Sequence, residues 1–358
     1  MLAKATVTVD LSKIEANACA LVSAMPGVDI VGITKVTCGT PEVARAMLAG
    51  GVCALGESRL ENIERMREAG ITAPMWLVRA PTPGQADETV RLVDVSAISE
   101  VAIAQALDAA AGRAGRRHGI LAMVDIGDLR EGMLPDLLPA FLDAAMALEH
   151  LDIVGIGASL TCYGAIVPDE SNLSLLASLA QTAEKQVGHS LVISGGSSTS
   201  IAPVTDGRAP TAIDNLRLGE AIMLGVDPAT REPLPGIALH TDALTVAVPV
   251  IECFLKPSLP IGTAAQDAFG TVPEFEDRGE RRRAIVALGR QDAPPQSLTP
   301  IDSRVEVLGA SSDHLVLDVH DLPVAPKVGD AIEFVPGYSA VLALFTSRYV
   351  DKVFLHAR

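Results

Sequence analysis

Basic residues are in short supply in this chain. Its 358 residues carry 28 lysines and arginines against 44 acids, a formal charge of −16. Such a balance repels phosphate backbones, and the only basic runs are Arg116-Arg117 and Arg281-Arg282-Arg283, the latter following Glu276, Asp277 and Glu280. Nucleic acid is therefore excluded as a partner. Cysteines are few and scattered (Cys19, Cys38, Cys53, Cys162, Cys253), with no CxxC pair or His/Cys cluster, so neither a metal site nor a disulfide framework is indicated. Aromatics make up only 3%, with Trp76 the single tryptophan. The N-terminal stretch lacks the apolar core of a signal peptide, and the long charge-free run 153–168 is broken by glycines and polar residues. No membrane span is expected, and a cytoplasmic protein with reduced thiols is.

What is present is a soluble globular composition, 49% hydrophobic, in a chain long enough for one large domain or two ordinary ones. Residues 5–9 alternate as a strand would, and Ser12-Lys13-Ile14-Glu15 reads as a capping box opening a helix. A unit of short apolar strand, turn and capped helix then repeats. Strands are expected at 28–34, 52–56, 75–80, 93–98, 119–125, 152–158, 190–194 and 213–217. Helices are expected to begin near Thr40, Ser58 (with Glu61 completing a second box), Thr82, Ser99, Pro135, Asp169 and Ser198. Eight such strands predict an α/β fold, a (β/α)8 barrel of the TIM type over 10–230. An open doubly wound sheet is the rival, but no GxGxxG follows the first strand. The proline-rich stretch 227–236 reads as a linker. Beyond it, alternating segments at 243–251, 283–288, 305–308 and 315–319 predict a mostly β domain over 237–358, joined by the N-terminal strand 1–9. Residues 311–314 fall where a hairpin tip would.

Lys35 stands at the end of the first barrel strand. Gly39 supplies a turn after it, Thr40 a helix N-cap and Pro41 the favoured first helical position. Alone, such a lysine reads as a surface residue. On a barrel, however, it lies on the face that carries chemistry. Ser194-Gly195-Gly196-Ser197-Ser198 follows the seventh strand and Arg217-Leu218-Gly219-Glu220 the eighth. Glycines allow close backbone approach and hydroxyls donate to phosphate. A lysine and a phosphate cradle on one barrel face together signal pyridoxal phosphate.

The segments GITKVTCG (32–39), LGESRLENI (55–63), MVDIGDLREGM (123–133), IGASLTCYG (156–164), ISGGSSTS (193–200), NLRLGEAIMLG (215–225), FEDRGERRRAI (275–285) and LGASSDHLVLDV (308–319) resemble the alanine/ornithine racemase family of fold-type III pyridoxal-phosphate enzymes, and within it the ornithine racemases. The resemblance implies that Lys35 carries pyridoxal phosphate on its amine and is the base on one face of the substrate. It also implies that Arg130 binds the ring phenolate and that Cys162 stands where a histidine packs beside the ring. Ser197, Ser198, Gly219 and Glu220 (the last through its backbone) would hold phosphate, and Tyr349 would also lie against the cofactor. Read without it, Arg130 is a surface ion pair with Asp128 or Glu131, and Cys162 a small buried residue. Arg217 would face the pyridine nitrogen; arginine does not readily give up its proton, which argues for racemisation over decarboxylation.

The resemblance has one departure. Alanine racemases serve the opposite face with a tyrosine of a GYADG motif from the partner subunit, and the matching stretch here is Gly289-Arg290-Gln291-Asp292. A proton must still reach that face. Asp313 and His314 are the chosen candidates, with Asp292, Tyr338 and Tyr349 behind them, and a one-base mechanism stays open. Ornithine or a related basic amino acid is the expected substrate, its ammonium met by Asp267, Glu276, Asp277 or Asp292. Alanine or broad specificity is the alternative. A non-catalytic pyridoxal-phosphate-binding homeostasis protein (a barrel alone) and a decarboxylase or aldolase are more distant ones. A homodimer is implied by the relatives.

Overall fold

A computed structural model describes residues 3–356. The chain divides into two compact units, one of residues 11–241 and one of residues 1–10 with 242–358.

The first unit is a closed barrel. After β1 (Thr6–Asp10), which belongs to the other unit, the chain enters α1 (Leu11–Ala24), then β2 (Asp29–Ile33), α2 (Pro41–Ala49), β3 (Ala54–Glu57), α3 (Leu60–Glu68), β4 (Met75–Leu77), α4 (Ala86–Leu92), β5 (Val95–Ile98), α5 (Val101–Ala114) and β6 (His118–Met123). It continues through α6 (Leu138–Met146), β7 (Leu151–Gly157), α7 (Glu170–Val187), β8 (Val192–Ser194), α8 (Ile201–Thr205), β9 (Asn215–Leu218) and α9 (Glu220–Leu224). The eight strands β2 to β9 are parallel in sequence order, and β9 closes on β2 through Val31 opposite Arg217. This is the (β/α)8 barrel expected from the strand–helix alternation. Strands β3, β6 and β9 are buried along their whole length, as strands covered on both faces are. Trp76 packs against two apolar clusters, one of Val31, Ile33 and Ala54 and one of Ala97, Leu121 and Met123. The carboxyl ends of the parallel strands open onto one face, where the longer loops after β6 and β7 lie.

The caps differ from expectation in three places. Helix α1 already begins at Leu11, ahead of the Ser12 box. Thr40 occupies the N-cap of α2, but its hydroxyl donates to Thr37 O instead of capping. Helix α3 begins at Leu60 with Arg59 as N-cap, because the Ser58 N–H and hydroxyl are both taken by Glu57 Oε1. Nor is 227–236 a bare linker: it lies within the barrel unit, where Asp227 is buried and accepts from Ala229 N–H, while Asp227 N–H donates to Glu232 O.

The second unit is an eight-stranded sheet. Its path runs β12 (Leu298–Pro300), β15 (Ala331–Pro336), β10 (Leu244–Pro257), β11 (Glu280–Val286), β14 (Leu315–Asp318), β13 (Glu306–Ala310). Strand β1 pairs antiparallel with β10 (Thr6 opposite Ala247) and parallel with β16 (Asp351–Leu355). Helix α10 (Tyr338–Thr346) completes the unit. Residues 311–314 do form the β13–β14 hairpin tip, closed by Ser311 N–H on His314 O. Strands β12, β15 and β16 and helix α10 were not among the elements the sequence pattern supplied.

Candidate active site

Lys35 opens a 3-10 turn, residues 35–37, immediately after β2. That turn is heavily stitched. Thr34 N–H donates to Gly56 O, Gly39 N–H to Thr34 O, Thr37 Oγ1 to Thr34 O, and Arg65 Nη1 to Cys38 O. Gly39 has φ +61°, and a Cβ there would lie 2.8 Å from both Cβ and O of Asn62, so only glycine lets the turn close on α3. Beneath it, the fully buried Glu57 accepts from Thr34 Oγ1 at 3.2 Å. Burial drives the Glu57 carboxyl upward, against the hydrogen bonds from Ser58, Asn62 and Thr34. The half-buried Lys35 is thus presented by a rigid turn.

The exits of β8 and β9 converge beside it. Ser198 Oγ accepts from Ala221 N–H at 3.2 Å, joining the two loops. Gly195 N–H donates to Asn215 O and Arg217 N–H to Gly196 O. Ser197 Oγ lies 3.4 Å from Thr199 Oγ1. A Cβ on Gly219 would come within 3.0 Å of Ile33 Cβ and 3.1 Å of Ile33 O, so the β9 exit lies directly against the end of β2. Glu220 is ion-paired with Arg231; burial pushes its carboxyl up, while Arg231 and then Lys35 pull it down. Lys35, Ser198, Gly219 and Glu220 therefore share one end of the barrel. Among the described residues, the N–H groups of Ser197, Gly219 and Glu220 meet no acceptor, so the cradle offers donors without a protein partner to an anion such as phosphate.

Arg217 points inward from β9 and is buried. Its Nη2 donates to Ala158 O at 2.6 Å and to Ser159 Oγ at 3.2 Å, and its Nη1 to Ser194 Oγ. Burial pushes the guanidinium down to about 10; Glu131 and Cys162 oppose that shift and Arg130 adds to it. The exits of β6 and β7 thus bring Arg130, Glu131 and Cys162 to Arg217. Arg130 does make the ion pair with Glu131, at 2.6 Å. Asp128 holds the β7 exit loop by accepting from the N–H groups of Cys162 and Tyr163. Cys162 is exposed, not the small buried residue expected without the resemblance. Leu129, Thr161 and Ala165, all in these two loops, have positive φ, backbone that non-glycine residues adopt at a cost.

The remaining candidates lie in the second unit. Asp313 and His314 are exposed on the hairpin tip; Asp313 Oδ2 accepts from Ser312 Oγ, and His314 Nδ1 lies 3.5 Å from Ser311 Oγ. Tyr349 is exposed, and Tyr338 is the first residue of α10. Asp292 is buried and accepts from Ser347 Oγ. Asp267 caps its own turn through the N–H groups of Phe269 and Thr271; Glu276 pairs with Arg278; Asp277 accepts from Ser258 Oγ. Sequence reasoning gave no role to Glu57 or Ser159, and placed Ser194 only in the Gly-Ser stretch offered to phosphate, not beside Arg217. All three fall within the quoted motifs, and their position at or just past strand ends was the signal that could have found them.

Residues 9–227 match the family described as alanine racemase, N-terminal domain. The chain is 37% identical to ornithine racemase of Acetoanaerobium sticklandii over 98% of its own length and 99% of that protein's. It is 38% identical to lysine racemase of Thermotoga maritima, covering 97% of both. The crystal structure of alanine racemase from Bartonella henselae with covalently bound pyridoxal phosphate superposes with a TM-score of 0.75 at 16% identity, covering 99% of this chain and 100% of that one, a likeness of fold. The donor cradle, the lysine beside it and the inward arginine suit such a cofactor. By these matches the chain belongs to the alanine racemase family, whose enzymes depend on pyridoxal phosphate.

Proposed function

We propose that this protein interconverts the L and D forms of a basic amino acid, ornithine or lysine, with pyridoxal phosphate carried on Lys35. The near-full-length similarity to two racemases named for basic amino acids is the observation that carries this reading. When bound, the cofactor supplies electron withdrawal that acidifies the substrate Cα–H. The N–H groups of Ser197, Gly219 and Glu220 and the Ser198 hydroxyl hold its phosphate. Arg130 would bind the ring oxygen, Cys162 would pack beside the ring, and Arg217 would keep a protonated donor toward the ring nitrogen. Lys35, held by its stitched turn, would take the Cα proton from one enantiomer and, in the reverse direction, deliver it to that same face.

For the other face, Asp313 and His314 of a second copy are the proton source in this reading, with Tyr349 reaching the cofactor. A homodimer also accounts for the exposed apolar side chains on the β6 and β7 exit loops, Leu129, Tyr163, Ile166 and Val167. Among the described residues no helix is long and apolar enough to cross a membrane, and none of the five cysteines forms a disulfide, in keeping with the cytoplasmic setting we propose. A chiral assay of purified protein with added pyridoxal phosphate tests the reading over a panel of L-amino acids. Ornithine or lysine is expected to racemise fastest, and Lys35→Ala to abolish turnover. Faster conversion of alanine would overturn the basic-substrate assignment.

A further inference from the structure

Arg217 is buried, yet every oxygen it touches directly is neutral: Ala158 O, Ser159 Oγ, Ser194 O and Ser194 Oγ. The carboxylate that faces it is one step away. Ser159 Oγ accepts from Arg217 Nη2 at 3.2 Å and donates to Glu131 Oε1 at 2.8 Å. The same Glu131 oxygen accepts from Arg130 Nη2 at 2.6 Å. A serine hydroxyl has one proton, so the direction of the chain is fixed, and all its hydrogens point toward Glu131. Two arginines from different strands, β9 and the β6 exit, therefore share one carboxylate through one hydroxyl from the β7 exit.

We infer that Glu131 and Ser159 are positioning residues, holding Arg217 charged and in register with Arg130 so that both present donors to the same bound cofactor. The inference rests on the racemase reading above, because only there do both arginines face one ring. A buried arginine surrounded by neutral oxygens is the less stable in its charged form, and a chain ending on a carboxylate offsets that. Glu131 is also the foremost charge opposing the downward shift of Arg217.

The test compares wild type, Lys35→Ala, Glu131→Gln, Ser159→Ala, Ser159→Thr and the Glu131→Gln/Ser159→Ala double variant. Absorbance of bound pyridoxal phosphate is titrated from about pH 6 to about pH 10, together with the cofactor's dissociation constant and kcat and KM for ornithine. The alkaline transition is expected to move down by about one pH unit in Glu131→Gln and Ser159→Ala. In both, kcat falls about tenfold with KM within about threefold of wild type. The double variant is no worse than Glu131→Gln, and Ser159→Thr, which keeps the hydroxyl, titrates as wild type. Unchanged titration and kcat in both single variants, with the Lys35-dependent absorbance intact, overturn the inference and leave the racemase reading standing. Wild type without any Lys35-dependent absorbance overturns that reading, and this inference with it.

Discussion

The Thr34 hydroxyl lies 3.2 Å from Glu57 Oε2 and 3.3 Å from Gly56 O, one residue before the lysine the site is built on. Burial raises the Glu57 carboxyl above its unfolded value of 4.5. The sign follows: between those two values the folded state binds the extra proton, so stability is fullest below 4.5 and is lost as pH rises through the folded value. A glutamine has no charge to bury and can donate to Thr34 Oγ1, whose proton then serves Gly56 O. Glu57→Gln should therefore unfold at equal or higher denaturant than wild type at neutral pH, with the gap closing in acid. Glu57→Ala, which strands the Thr34, Ser58 and Asn62 donors, should lose about 2 kcal/mol. Urea melts across pH measure both.

Ser198→Ala removes the acceptor of Ala221 N–H and with it the tie between the β8 and β9 exits. The loss of one such hydrogen bond, about 1 kcal/mol, corresponds to a five- to tenfold weaker grip on pyridoxal phosphate, roughly. Equilibrium dialysis or spectral titration reads it, with kcat at saturating cofactor changing little.

Gly39→Ala meets two obstacles together, a left-handed backbone and a Cβ pressed on Asn62. Destabilisation of about 2 kcal/mol is expected, with turnover falling further than stability because the displaced turn carries Lys35. Thermal melts beside kcat separate the two effects.

His118 begins β6, is buried, and has Nε2 2.9 Å from Ser96 Oγ. Burial, with Arg116 nearby, lowers its pKa from 6.5 to about 4. The folded state holds it neutral, so the unfolded chain binds the extra proton between those values. Its contribution is fully present above 6.5 and is lost as pH falls toward 4, a total of about 3 kcal/mol. His118→Gln should flatten that part of the stability profile in denaturant melts between these two pH values.

The barrel was legible because its strands are apolar runs closed by turn residues and followed by helix starts, and the same pattern put Lys35 and Arg217 near strand ends, while a role for Arg217 came only from the family resemblance. What escaped depended on partners distant in sequence. Ser58 offers a capping box on paper, yet the buried Glu57 beside it claims its donors. Helix α10 is apolar almost throughout, begins after a glycine with no capping side chain, and contains valine and phenylalanine, so no helical stripe announces it. The bridge from Arg130 through Glu131 and Ser159 to Arg217 exists only because β6, β7, β8 and β9 close side by side, which spacing along the chain does not reveal.

Trp76 stands alone of its kind and packs against two apolar clusters of the barrel. Its emission therefore reads out one unit and is silent about the other. Denaturation followed by that indole fluorescence, set beside far-ultraviolet dichroism of the whole chain, would separate melting of the barrel from melting of the sheet without any engineered label.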